Sequence, residues 1–187
     1  MAILTTATFQ YETQHRLAFD FNENVAQSLV FDDVTVNNLT TSQTIDPLSL
    51  TLTYDGPTQT AYWTYNGILP DGDYAATIAA ANVADVAGNT LSAPANLDFF
   101  FLQGDANHNR SANLQDFNIV AANFGGTNKT FSQGDFNYDG NVNLQDFNIL
   151  ASRFGNTLAA PAGPNGGASQ SIFGDSRIGD DLEDLMA

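Results

Sequence analysis

A chain of 187 residues with 43% hydrophobic content is long enough for one or two small domains and too apolar to be disordered throughout. Its net charge of −16, with only five scattered Lys and Arg residues, lacks the clustered basic surface that a nucleic-acid partner demands. It has no Cys, which excludes disulfide frameworks, thiolate metal sites and Cys nucleophiles, and no apolar run approaches the roughly 18 residues that span a bilayer.

The start of the chain, Met1-Ala2-Ile3-Leu4-Thr5, has neither the basic opening nor the apolar stretch of a signal peptide. The expectation is a piece of a longer secreted protein, or export by another route. Residues 1–102 then read as a succession of short strands. Apolar and polar residues alternate in Thr8–Tyr11, Arg16–Phe21, Val34–Val36, Leu48–Tyr54 and Ala61–Tyr65, with further strands over Tyr74–Ala80 and Leu97–Leu102. Asp55-Gly56-Pro57, Asn66-Gly67 and Asp71-Gly72 supply turns between them. Strands spaced about ten residues apart with turn chemistry between them predict an antiparallel β-sandwich.

Particular segments here resemble the Ig-like modules of bacterial surface-layer and large secreted proteins. Phe19-Asp20-Phe21-Asn22-Glu23-Asn24-Val25 is similar to their "F-S-E-x-V" segment. Leu69-Pro70-Asp71-Gly72-Asp73-Tyr74 followed by Val83–Asn89 is similar to their "L-x-x-G-x-Y … V-x-D-x-A-G-N" ending. The resemblance covers roughly residues 3–102 and implies an Ig-like fold. Asp85 and Asn89 read as turn-stabilising side chains around a Gly88 with positive φ.

Residues 103–156 change to a loop–helix pattern that occurs twice at an offset of 30 residues, as Asp105–Asp116 and Asp135–Asp146 with the residues after them. Calcium takes six to eight oxygen ligands, and a twelve-residue loop supplies them from positions 1, 3, 5, 7, 9 and 12. In the second loop these are Asp135, Asn137, Asp139, Asn141, Asn143 and Asp146, with Gly140 making the sharp turn at position 6. In the first they are Asp105, Asn107, Asn109, Ser111, Asn113 and Asp116, with Arg110 at position 6. Arg110 is expected to cost about 1–2 kcal/mol in backbone strain and to bring a positive charge near the ion. Loop one offers two ligand carboxylates and loop two offers three, so two calcium ions are expected, the second held more tightly.

Each loop runs into a predicted amphipathic helix. Leu114, Phe117, Val120, Ala121 and Phe124 share one face of the first, and Leu144, Phe147, Leu150, Ala151 and Phe154 one face of the second. They are expected to form the core between two packed helices, with Gly125 and Gly155 as C-caps. So small a core implies that calcium binding is coupled to folding.

The duplicated loop–helix units, each led by Gly-Asp, resemble dockerin domains, the calcium-dependent modules that dock secreted bacterial enzymes onto cohesins. The resemblance covers residues 103–156 and implies an α+β chain overall, an Ig-like sandwich followed by a dockerin-like pair of EF-hand-type repeats. It also implies a non-catalytic, cohesin-binding role at the cell surface or outside the cell, linked to polysaccharide catabolism. Positions 10 and 11, which help choose the partner in many dockerins, are Leu114-Gln115 and Leu144-Gln145 here, in place of the frequent Ser-Thr. Their identity in both repeats would permit two binding orientations related by a half-turn, and burial of the two leucines is the competing reading.

Residues 157–171, rich in Ala, Pro, Gly and Ser, predict a flexible linker, and 172–187 an acidic tail with room for one or two helical turns. Catalysis is not expected. The two His residues, His15 at a strand start and His108 facing solvent, accompany no nucleophile motif. The alternative to a docking module is a structural C-terminal unit for sorting or anchoring a large extracellular protein, with calcium as its staple.

Overall fold

The computed structural model describes residues 4–160. Two four-stranded antiparallel sheets pack face to face. One has the order β1-β2-β6-β5, from Leu4–Gln10, Arg16–Phe21, Thr60–Tyr65 and Leu50–Asp55. The other has the order β4-β3-β7-β8, from Gln43–Thr44, Val34–Asn38, Gly72–Ile78 and Ala95–Phe101. The architecture is the expected β-sandwich. The two-residue β4 escaped the sequence reading because neither of its residues is buried, so no alternation marks it.

Register explains the core. Phe9, Leu17, Trp63 and Leu52 form one row across the first sheet, and Asn38, Tyr74 and Phe99 one across the second. Because side chains alternate between faces, each such row points to one side, and rows from the two sheets fill the space between. Trp63 is fully buried, and its indole N–H donates to the Phe31 carbonyl at 2.9 Å. The Asp85–Asn89 turn forms as read. Asn89 donates through both its backbone and its side chain to the Asp85 carboxylate, and Gly88 has φ +82°.

After β8 the chain enters the two loop–helix units, whose helices are α1 (Leu114–Asn123) and α2 (Leu144–Arg153). They are not a separate body. Phe131 and Phe136 are fully buried, and the Phe131 ring stands 5.4 Å from that of Phe101 at the end of β8. The backbone N–H of Phe131 donates to the Glu12 carbonyl, Ser132 donates to the Glu12 carboxylate, and Arg153 pairs with Asp71 at 3.0 Å. His108 does not face solvent. Its ring is stacked between Tyr11 (4.3 Å) and Phe100 (4.0 Å). The expected linker does not begin at 157 either. Thr157 bridges Ser111, the Leu158 N–H donates to the Arg110 carbonyl, and Ala159 accepts from the Arg110 guanidinium. The remainder of that linker, from 161, and the acidic tail lie outside the described residues.

His15 ties the sandwich to the repeats. It is 1% exposed, and the Leu69 N–H donates to its Nδ1 at 2.9 Å. Nδ1 therefore carries no proton, so Nε2–H donates to the Tyr138 hydroxyl at 2.7 Å, and that hydroxyl donates in turn to the Tyr11 carbonyl. Burial lowers the His15 pKa from 6.5 to about 3. Between these two values the unfolded chain takes up a proton that the folded chain refuses, so stability falls as pH drops through that window. The expected slope is up to about 1.4 kcal/mol per pH unit. Urea midpoints read from Trp63 fluorescence between pH 7 and 4 check this, and His15→Gln should flatten the dependence.

Candidate functional site

The loops close around buried carboxylates. Asp105, Asp116 and Asp146 are 0% exposed and Asp135 is 2% exposed. In loop two the backbone N–H groups of Asp139 and Gly140 donate to Asp135, and those of Phe136, Asn137 and Asn143 donate to Asp146. Loop one repeats this scheme. Asn109 and Arg110 donate to Asp105, and Asn107 and Asn113 to Asp116. Asn113 and Asn143, expected at the ninth ligand position, are the helix N-caps, and Asp116 and Asp146 complete their capping boxes. Each carboxylate keeps lone pairs beyond those taken by N–H donors, so these bonds position the oxygens without exhausting them.

Burial raises the pKa of Asp105, with Asp116 adding to the rise, while the backbone N–H donors of Asn109 and Arg110 oppose it. Burial likewise raises that of Asp135, against the Gly140 N–H and together with the charges of Asp146 and Asp139. Exposed Asp139 is lowered by the Asn141 N–H and the Asn137 amide. Two buried acids packed side by side in each loop, with no ion pair to either among the described residues, are the electrostatic setting that a cation relieves.

Among the described residues, no group of three or more His, Cys, Asp and Glu side chains gathers as a metal cluster. Loop one does not require one, since only two of its expected ligands are carboxylates and the rest are amide and backbone oxygens, whereas the three of loop two, Asp135, Asp139 and Asp146, do not gather as such a group, Asp139 standing exposed while the other two are buried. Asn107, Asn109 and Asn137 supply side-chain oxygens, and their amide nitrogens donate to Gln115 and Gln145. The donor set therefore fits a hard divalent cation. Asp105, Asn107, Asn109, Ser111 and Asp116 would hold one, and Asp135, Asn137, Asp139, Asn141 and Asp146 the other.

Arg110 adopts the left-handed conformation, φ +73°, as Gly140 does at +81°. Its guanidinium turns away from the loop. It pairs with Asp73, lies 4.3 Å from the Phe100 ring centre and donates to the Leu158 and Ala159 carbonyls. The feared charge is thus spent on the sandwich, and the two loops differ chiefly in Asp139 against Asn109.

The helix faces correct the sequence reading most. Only Val120 and Leu150 of the expected core stripes are buried. Leu114 and Leu144 are each 61% exposed, Phe117 and Phe147 37% and 36%, and Phe124 and Phe154 57% and 55%. Ala121 and Ala151 are exposed beside them. The rings of Phe117 and Phe147 meet edge to face at 6.2 Å, joining the stripes across the helix pair. Core positions come instead from Ala106, Ala112, Phe131, Phe136 and Val142. The other exposed helix residues, Gln115, Asn118, Ala122, Gln145, Asn148 and Ser152, carry no charge.

Comparison with known proteins gives no matching family model and no matching curated protein. Among solved structures, the N-terminal part of the bacterial S-layer protein SbsC aligns over 55% of this chain and 24% of its own, at 11% identity and TM-score 0.43. Surface layer protein SbsC, domains 1-6, aligns over 55% and 14%, at 10% identity and TM-score 0.42. The S-layer protein rSbsC(31-844) aligns over 55% and 14%, at 11% identity and TM-score 0.43.

Chelator-stripped protein titrated calorimetrically is expected to take up two calcium ions. Asp139→Asn should weaken the tighter by at least about tenfold while leaving the other in place. No heat and no change in unfolding midpoint with calcium would reject both sites.

Proposed function

We propose that this chain is a non-catalytic, calcium-stabilised protein-docking module of a secreted or surface protein. Its binding surface is the outward stripe of the twin helices, and its partner is a cohesin-like or cell-surface protein. The observation that carries this reading is the paired exposure of Leu114, Phe117 and Phe124 with Leu144, Phe147 and Phe154. A contiguous apolar face marks an interaction site more often than chance. This one is uncharged in a chain of net charge −16, so a partner meets it without desolvating an ion.

The near-identical exposures of paired residues make the face the same after a half-turn. Leu114 and Leu144 are presented to the partner. Gln115 and Gln145 contribute by fixing the loop amides from their rim positions. Calcium holds each loop, and so each helix start, in place.

The continuous aromatic core between sandwich and repeats favours a second reading, a rigid structural unit stapled by calcium. The two are compatible, because the joint uses loop residues and Arg153 at the end of α2, none of which belongs to the outward stripe.

Binding to a panel of immobilised cohesin modules in calcium tests the reading. Leu114→Asp or Leu144→Asp alone is expected to weaken a binder only about twofold, since one orientation survives, and the double variant to abolish binding. Full loss from either single substitution would refute the two-orientation face.

A further inference from the structure

We propose that the β-sandwich is part of the calcium-binding machinery. His108 and Tyr138, the fourth residues of the two loops, are positioning residues through which the sandwich holds each loop ready for its ion. The proposal rests on the calcium reading above.

Position four supplies no ligand oxygen, yet it lies between positions three and five, which do. His108 is flanked by Asn107 and Asn109, and Tyr138 by Asn137 and Asp139. Both have left-handed backbones, φ +54° and +64°, a conformation that bulky side chains seldom hold without outside support. The sandwich gives that support by different chemistry in each repeat. His108 is clamped between the Tyr11 and Phe100 rings. Tyr138 places its hydroxyl between His15 Nε2 at 2.7 Å and the Tyr11 carbonyl at 2.9 Å.

Tyr11, just past the end of β1, thus touches both loops, one through its ring and the other through its backbone. In loop one Arg110 adds a second tether two residues on, pairing with Asp73 of β7. With the fourth residue fixed, the side chains before and after it are already aimed, so the ion does not have to order a free loop. Preorganisation of this kind raises affinity. By thermodynamic reciprocity, an ion that prefers the seated loop also stabilises the sandwich on which the loop is seated.

The test uses the whole chain. Tyr138→Phe keeps the ring and every ligand residue but removes the hydroxyl that joins His15 to Tyr11. The readouts are calcium affinity by calorimetry and the unfolding midpoint reported by Trp63, the chain's single Trp, with and without calcium. In the unaltered protein calcium is expected to raise the Trp63 midpoint. In Tyr138→Phe the loop-two affinity should drop about tenfold, loop one should stay within about twofold, and the calcium-induced gain in midpoint should shrink. His108→Gln should produce the mirror result, weakening loop one.

A residue that served stability alone would lower the midpoint equally in calcium and in chelator. That outcome, or wild-type affinity in both variants, overturns the coupling while leaving the calcium sites standing. Absence of any calcium uptake by the unaltered protein removes the calcium reading and this proposal with it.

Discussion

The geometry of the repeats depends on the burial of one carboxylate at the third residue of each helix. Asp116 and Asp146 accept N–H groups from the start of their own loop and from the helix N-cap, and both are fully enclosed. A side chain held inward at that position fixes the rotation of the helix about its axis. The residue one turn later, Val120 or Leu150, must then also point inward, since positions four apart share a face. The stripe made by Leu114, Phe117, Ala121 and Phe124, and its copy in α2, lies roughly a third of a turn away and is left in solvent. A buried, unpaired carboxylate is costly by several kcal/mol, so what holds this arrangement must offset both that charge and the exposed rings. The proposed cation in the loop would answer the first requirement, and the proposed partner on the face the second.

The duplication is closed by exchange between the halves. In loop one the residues at and next to Ser111 bond to the segment after α2, and in loop two those at and next to Asn141 bond to the segment after α1. Gly134 packs its bare Cα against Val120 of the first helix, and Gly104 packs against Leu150 of the second. A methyl group at Gly134 would stand 3.2 Å from the Val120 Cα, besides straining a backbone at φ +100°. The glycine that leads each repeat thus has a backbone reason in both, φ +92° at Gly104 and +100° at Gly134, and a packing reason at Gly134. Against this internal symmetry, the sandwich makes the halves unequal, through rings and a guanidinium in one loop and a hydroxyl in the other.

Much of this was legible in the residues. Strand alternation gave the sandwich, because each sheet has one buried face and a period of two survives in the sequence. The loops and helices stand where the duplicated pattern puts them, because the Asn N-caps and the positive-φ glycines after each helix are local chemistry. The inward face of the helices was not legible by hydrophobicity. The stripe of largest apolar residues reads as core, whereas a polar residue, Asp116 or Asp146, sets the buried side. Nor did local pattern reveal that Arg110, His108 and Tyr138 serve the sandwich. A charge at a turn position and aromatics in an Asn-rich loop read as local features, and their partners Asp73, Tyr11 and His15 lie far away in sequence. A positional signal was nevertheless present. Bulky residues stood at positions four and six, where the loop backbone needs a left-handed conformation, and such residues call for a contact beyond the loop.

Each repeat thus assigns its residues by position to separate surfaces. The first and last aspartates of each loop turn inward, the fourth and sixth residues of loop one and the fourth of loop two reach the sandwich, and the helix stripe faces out. Because a period of two in the loop gives way to a period of 3.6 in the helix, no side chain has to satisfy two of these surfaces at once. The surfaces still share one backbone. Moving a loop off the sandwich shifts the residue that caps the helix, and with it the rotation that exposes Leu114 or Leu144. Sandwich and outer face, and with them the proposed ion, meet at the helix start, where Asn113 and Asn143 close the loop on one side and begin the helix on the other. Such coupling needs no large movement, since a packed joint with aromatic rings on both sides transmits small displacements rather than absorbing them.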